Sequence, residues 1–187
     1  RQINGVLHSI AFANPKTCLG GEELYTEATN DILQGFHISA ASLATVAHYA
    51  VPNMKEGGSI VTLSFEGQRP FPYYNWMGVN KAALEAVVKS LARNYGKQYI
   101  RVNAVSAGPL TTKAASSIPY FDHLSKTWDE ISPLPWDTIK DKKEVANAVV
   151  FLLGEFSKKI TGQTLFVDGG ANFIGGTLMN YEKPSVN

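Results

Sequence analysis

Ser59-Ile-Val-Thr-Leu-Ser-Phe65, then a helical pattern from Asn75 to Tyr95, then Ile100-Arg-Val-Asn-Ala-Val-Ser106: this succession decides the fold. The two flanking runs are short, mostly apolar and rich in β-branched residues, as in parallel strands buried on both faces. Between them Ala82, Ala83, Leu84, Ala86, Val87, Leu91 and Ala92 recur at helical spacing, with Gly96 just beyond as a stop signal. Their spread over more than one side predicts a helix covered by a sheet and by something further, such as another subunit.

Outward from this unit the alternation continues. Gly5 to Phe12 reads as a strand, a polar stretch with paired glycines fills Asn14 to Asn30, and Ile32 to Val51 has helical spacing closed by Pro52. Gly57-Gly58 breaks the chain before the first quoted strand, and Gly108-Pro109 ends the second. Leu110 to Trp136 is long and irregular, with short helical possibilities. Asp141 and Glu144 have capping-box spacing and open a helix running through Val149 to Leu153. Gly162 to Asp168 is the last strand, ended by Gly169-Gly170. With no internal repeat and no linker, residues 1–187 read as one α/β domain, a Rossmann-like doubly wound parallel sheet. Ligands bind such sheets at the carboxyl ends of the strands. The chemistry is therefore expected at Ser9–Ala11, Ser64–Phe65, Ser106–Leu110 and Asp168–Gly170.

Composition narrows the classes. Hydrophobic residues make up 44% of 187, as in a globular chain, and 17 basic against 16 acidic residues leave a net charge of +1. That balance offers no footprint for nucleic acid or an anionic membrane. No apolar stretch approaches the ~20 residues that span a bilayer. The lone Cys18 forms no internal disulfide, no Cys/His cluster has metal-ligand spacing, and a reducing, cytoplasmic setting is expected.

Tyr74 and Lys81 lie seven residues apart at the start of the long helix. Seven residues turn ~700°, close to two full turns, and rise ~10.5 Å, so both side chains share one stripe. A lysine there can hold ribose hydroxyls, and a tyrosine above it can reach a substrate carbonyl. Tyr73 is an adjacent rival pointing about 100° away. The scattered His8, His37, His48 and His123 read as satisfied or exposed, and Lys140 to Glu144 as a solvated helix start.

The segment Tyr74-Asn-Trp-Met-Gly-Val-Asn-Lys-Ala-Ala-Leu-Glu85, with Arg101 to Leu110, His8-Ser-Ile-Ala-Phe12 and Val167-Asp-Gly-Gly170, resembles the enoyl-acyl carrier protein reductase family in the family's own order. Ordinary short-chain dehydrogenases place the tyrosine four residues before the lysine, where this chain has Met77. The displaced tyrosine favours the enoyl branch. Phe65, nine residues before Tyr74, is similar to the branch acting on long acyl chains.

The resemblance implies NAD as cofactor, supplied as NADH with NADPH left open, and an enoyl thioester on acyl carrier protein or coenzyme A as substrate. Hydride goes to the β-carbon while Tyr74 stabilises the enolate and Lys81 positions the cofactor ribose, with Phe65 gating or orienting the enoyl chain. Ser9, Ile10, Ala11, Ile38, Leu63, Ser64, Gly108, Pro109, Leu110 and Thr112 match the cofactor side; Met77, Ala114, Ala115 and Ile118 match the acyl side, beside Phe65 and Tyr74. A homotetramer is implied, and no metal. The family's glycine-rich turn and adenine-binding strand precede the position of Gly5, and this chain has no Gly-x-Gly-x-x-Gly. The expectation is a carboxyl-terminal portion lacking roughly 80 residues, at ~25–30 per βα unit, with one edge of its first strand exposed. Two other functions stay open: another short-chain dehydrogenase, or a non-catalytic oligomerising fragment.

Overall fold

A computed structural model describes residues 2–20, 24, 27–71 and 73–174. Of the paired glycines, Gly21, Gly175 and Gly176 lie outside the described residues. Four strands, β1 (Gly5–His8), β2 (Gly58–Ser64), β3 (Ile100–Ala107) and β4 (Thr164–Val167), form one sheet in the order β1-β2-β3-β4. Every neighbouring pair is parallel. The helices are α1 (Thr29–Phe36), α2 (Ser42–Ala50), α3 (Asn75–Tyr95), α4 (Phe121–Ile131) and α5 (Lys142–Leu153).

Alternation along the central strands sorts the core into two layers, as period-2 geometry requires. Ile60, Val102 and Ala104 face Leu43, Leu84 and Val88 of α2 and α3. Their neighbours Val61 and Val105 face Trp128, Val145, Val149 and Leu152 of α4 and α5. Helices therefore cover both faces, and the doubly wound expectation holds. β1 is an edge strand: Leu7 is 49% exposed, and so is much of Ile10 just beyond it.

Between α1 and α2 lies a π-helical turn, His37–Ala41, that the 3.6-residue pattern did not predict. The whole stretch packs against α3, so α3 meets the sheet on one side and this helical layer on another. Its remaining side carries Val79, Ala82 and Ala86 in the open. The stop at the end of α3 differs from expectation. Gly96 keeps a helical φ of −58°, a 3₁₀ turn follows over Gly96–Gln98, and the chain reverses at Tyr99, whose φ is +59°. Gly57 supplies the space for that reversal, because a Cβ there would lie 2.7 Å from the Tyr99 carbonyl oxygen. The capping box before α5 does not form either. The Asp141 carboxylate accepts from the Asp137 N–H at 2.7 Å, and Glu144 accepts from the Asn147 side chain.

Candidate active site

Tyr74 stands immediately before the first residue of α3, in a strained stretch of backbone. Its neighbours Tyr73 and Asn75 have φ of +65° and +31°, and neither is glycine. Left-handed geometry at bulky residues costs on the order of 1–3 kcal/mol each and gathers at functional positions. The result turns the two tyrosines apart. Tyr73 stacks on Tyr120 with ring centroids 4.5 Å apart, while Tyr74 is buried to 6% exposure. Burial pushes its phenol above the usual range, so it is a neutral hydrogen-bond donor.

Lys81 is equally buried, and its ammonium donates to the Leu63 carbonyl at the end of β2, at 2.9 Å. Desolvation lowers its pKa to about 8 against the opposing pull of Glu85, so near neutral pH it is mostly charged. Tyr74 and Lys81 line one cavity of about 350 Å³. Tyr74 stands one residue outside the helix, and the two side chains meet at this cavity.

The same cavity gathers most of the other sequence-predicted positions. Leu63, Ser64 and Phe65 come from the end of β2, Ala11 from the segment after β1, and Gly108, Pro109 and Leu110 from the end of β3. Thr112, Ala114, Ala115 and Ile118 follow on the loop beyond, and Met77 projects from α3. Gly108 is more than a turn residue: a Cβ there would lie 2.6 Å from the Trp136 ring. Three predicted positions fall outside the lining. Ser9 and Ile10 are exposed at the β1 edge, and Ile38 is half-buried, its carbonyl accepting from the Ser42 hydroxyl at 2.6 Å.

Some contributors carried no sequence signal. Ser39, in the π turn, both accepts from the Phe12 N–H and donates to the Phe12 carbonyl, each at 2.8 Å. It pins the segment carrying Ala11. Glu85 accepts from the Ser64 hydroxyl at 2.8 Å. His8 is buried between the Thr62 and Ser42 hydroxyls at 2.9 and 2.8 Å. His37, His48 and His123 are exposed, as expected. Ser and Glu are too common in helices for any of these roles to be read from residue type alone.

A larger cleft of about 800 Å³ adjoins Tyr74 on its other side, lined by Arg69, Tyr73, Val79 and Ala82 among others. Size does not make it the better candidate. Its cation Arg69 is engaged by Glu66 and by the carbonyls of Ala171 and Ile174. Only the smaller cavity joins a buried phenol to an ammonium. Its residues fit the nicotinamide–ribose half of a dinucleotide, with an ammonium for hydroxyl groups and an apolar wall for a ring. No Gly-x-Gly-x-x-Gly is present for the pyrophosphate. Among the described residues there is no metal cluster, and no helix is long and apolar enough to cross a membrane.

Comparison with known proteins agrees with this geometry. An enoyl-[acyl-carrier-protein] reductase [NADH] of Mycolicibacterium smegmatis is 39% identical over 181 residues, spanning 91% of this chain and 66% of that relative. The Bacillus subtilis enoyl-[acyl-carrier-protein] reductase [NADH] FabI is 46% identical over 169 residues, 90% of this chain and 64% of its own. The Bacillus cereus enoyl-acyl carrier protein reductase, crystallised with NADP⁺ and an indole naphthyridinone, superposes with a TM-score of 0.87 at 40% identity. That match covers 94% of this chain and 67% of that one. A reductase from Anaplasma phagocytophilum with NAD gives 0.85 at 38% identity, covering 96% of this chain and 65% of that one. The chain thus spans about two thirds of the length of the curated relatives it matches. The family model described as Enoyl-(Acyl carrier protein) reductase matches residues 1–172, and the chain belongs to that family.

Proposed function

We propose that the protein reduces the trans-2 double bond of an enoyl thioester carried on acyl carrier protein or coenzyme A, in fatty-acid synthesis, and that residues 1–187 form the carboxyl-terminal portion of its single domain. The observation carrying this reading is the pairing of Tyr74 and Lys81 across one apolar cavity at the strand ends. A reduced nicotinamide supplies the hydride when bound, NADH being the form named for the curated relatives. Tyr74, a neutral donor held in an apolar site, hydrogen-bonds the thioester oxygen as negative charge develops on it. Lys81 presents its ammonium to the ribose hydroxyls, and its charge favours the same anionic state. Met77, Ala115 and Ile118 supply the apolar wall for the acyl chain. Phe65, packed against Tyr74, orients the chain at the reacting carbon.

A homotetramer fits the open side of α3, where Val79 is 44% exposed beside Ala82 and Ala86, and the exposed Val150, Phe151 and Phe156 on α5 and the turn after it. A reducing, cytoplasmic setting fits the free, buried Cys18. The test follows loss of NADH absorbance with crotonyl and longer enoyl thioesters. Oxidation of NADH in step with double-bond loss is expected. Turnover of simple ketones without any turnover of enoyl thioesters overturns the reading.

A further inference from the structure

Lys81 and Glu85 lie one turn apart on the buried face of α3, and both reach the end of β2. The Lys81 ammonium donates to the Leu63 carbonyl at 2.9 Å, and the Glu85 carboxylate accepts from the hydroxyl of the next residue, Ser64, at 2.8 Å. Successive strand residues are thus held by successive turns of the helix. Glu85 is 6% exposed and Ser64 5%. Burial of an ionised carboxylate costs several kcal/mol unless hydrogen bonds and an opposite charge offset it. Ser64 supplies the hydrogen bond, and Lys81 supplies the charge. The turn after β2 is pressed on the same carboxylate, because a Cβ on Gly67 would lie 3.0 Å from Glu85 Oε1.

We propose that Glu85 is a positioning residue for Lys81: through Ser64 it anchors the strand end whose carbonyl holds the amine, and one helical turn away it stands as the counter-charge to that amine. The role assigned to Lys81 rests on the reductase reading; the coupling between the two side chains does not.

Other ionisable groups surround this pair among the described residues. His8 of β1 is driven toward the neutral form by burial and by the Lys81 ammonium. Tyr74 is held neutral by burial. Asp31 of α1 accepts from Asn14 and Thr17. Arg101 of β3 donates to the carbonyls of Leu152 and Gly154, away from the cavity. β2 carries no ionisable side chain, and His37, His48 and Lys97 are exposed. Glu66 beyond β2 is paired with Arg69. Glu85 is the carboxylate that opposes the desolvation of Lys81.

The test is the titration of Lys81 in the whole protein, followed by NMR of lysine labelled with ¹³C at Cε and assigned by the resonance lost in Lys81→Arg. A wild-type midpoint near 8 is expected, with Glu85→Gln moving it to lower pH by about 1 unit. If Glu85→Gln does not fold, Glu85→Asp serves, since it withdraws the charge by one methylene and moves the midpoint the same way by less. A folded variant with the wild-type midpoint overturns the proposal, because a merely structural glutamate would not set the lysine's charge. The alkaline limb of enoyl reduction moves with the midpoint. A wild-type protein that oxidises no NADH with any enoyl thioester sinks the reductase reading alone; an unmoved midpoint sinks the role of Glu85 alone.

Discussion

The Phe65 ring stands edge-on to the Tyr74 ring, their centroids 4.8 Å apart at 64°. Phe65 in turn lies 5.3 Å from the Trp128 ring, so the tyrosine ring is joined through Phe65 to an aromatic cluster. Tyr74→Phe keeps that packing and removes only the donor. Loss of one such donor costs ~2.7–4 kcal/mol in the barrier, or about 100-fold or more in kcat. Steady-state kinetics should show this fall with an unchanged unfolding midpoint. Wild-type kcat in the variant would end the assignment of Tyr74.

Lys81 is a buried base whose folded pKa, about 8, lies below its ordinary value of 10.5. Below pH 8 it is charged in both states, and the folded chain bears the full desolvation cost. Between 8 and 10.5 the unfolded chain holds more protons on this group, so stability rises with pH through that window. Relative to Lys81→Met, the wild-type protein should gain up to about 3 kcal/mol across it, read by urea unfolding at successive pH values. A constant difference between the two proteins would contradict the buried ammonium.

His8 titrates in the opposite corner of the pH range. The Ser42 proton is committed to the Ile38 carbonyl, so Ser42 Oγ accepts from Nε2–H; Thr62 has one proton for two acceptors, Nδ1 at 2.9 Å and the His8 carbonyl at 3.2 Å, and giving it to the nearer Nδ1 is an assignment made from the hydrogen-bond network. Both positions suit a neutral imidazole, and burial with the nearby Lys81 charge lowers its pKa below 6.5. The stabilisation is whole above pH 6.5 and is lost as pH falls below it. Stability curves of wild type and His8→Gln should therefore converge on acidification.

Gly108 separates two indoles. A Cβ at this position would lie 2.6 Å from Trp136 Cε2 and 2.9 Å from Trp128 Nε1. Neither ring is free to retreat: Trp136 Nε1 donates to the Pro109 carbonyl at 2.8 Å, and Trp128 Nε1 to the Asp168 carbonyl at 2.9 Å. Gly108→Ala should cost ~1–3 kcal/mol of overpacking, seen as a lower urea midpoint with an unchanged slope.

Much of this fold was legible because its signals are repetitive. The four strands were each marked by an apolar run, and α3 by twenty-one residues of helical spacing that matched Asn75–Tyr95. Tyr74 and Lys81 were legible for the same reason, since helix geometry turns spacing into proximity. What escaped were single events. The π turn adds one residue to one turn and leaves no period of its own. α4 (Phe121–Ile131) sits in a proline-rich stretch that read as irregular. Asp141 has the spacing of a cap, yet its carboxylate turns back to the Asp137 N–H. Glu85 and Ser39 acquire their roles only from partners distant in sequence, Ser64 and Phe12. Ser9 and Ile10, matched by motif, stand exposed just beyond β1 and outside the cavity lining.

The widened turn at His37–Ala41 means that this helix is counted and not merely long enough. Ser39 must point at Phe12 while Leu43 and Ala47, further on, point into the core. Both phases are satisfied at once only because the surplus residue sits between them. Deleting one residue of the turn would close it to an ordinary α turn that keeps Leu43 and Ala47 on their layer but takes Ser39 off Phe12, whereas one more residue would rotate everything downstream by about 100°. A one-codon deletion in this segment is thus a local matter, whereas a one-codon insertion is a whole-helix event.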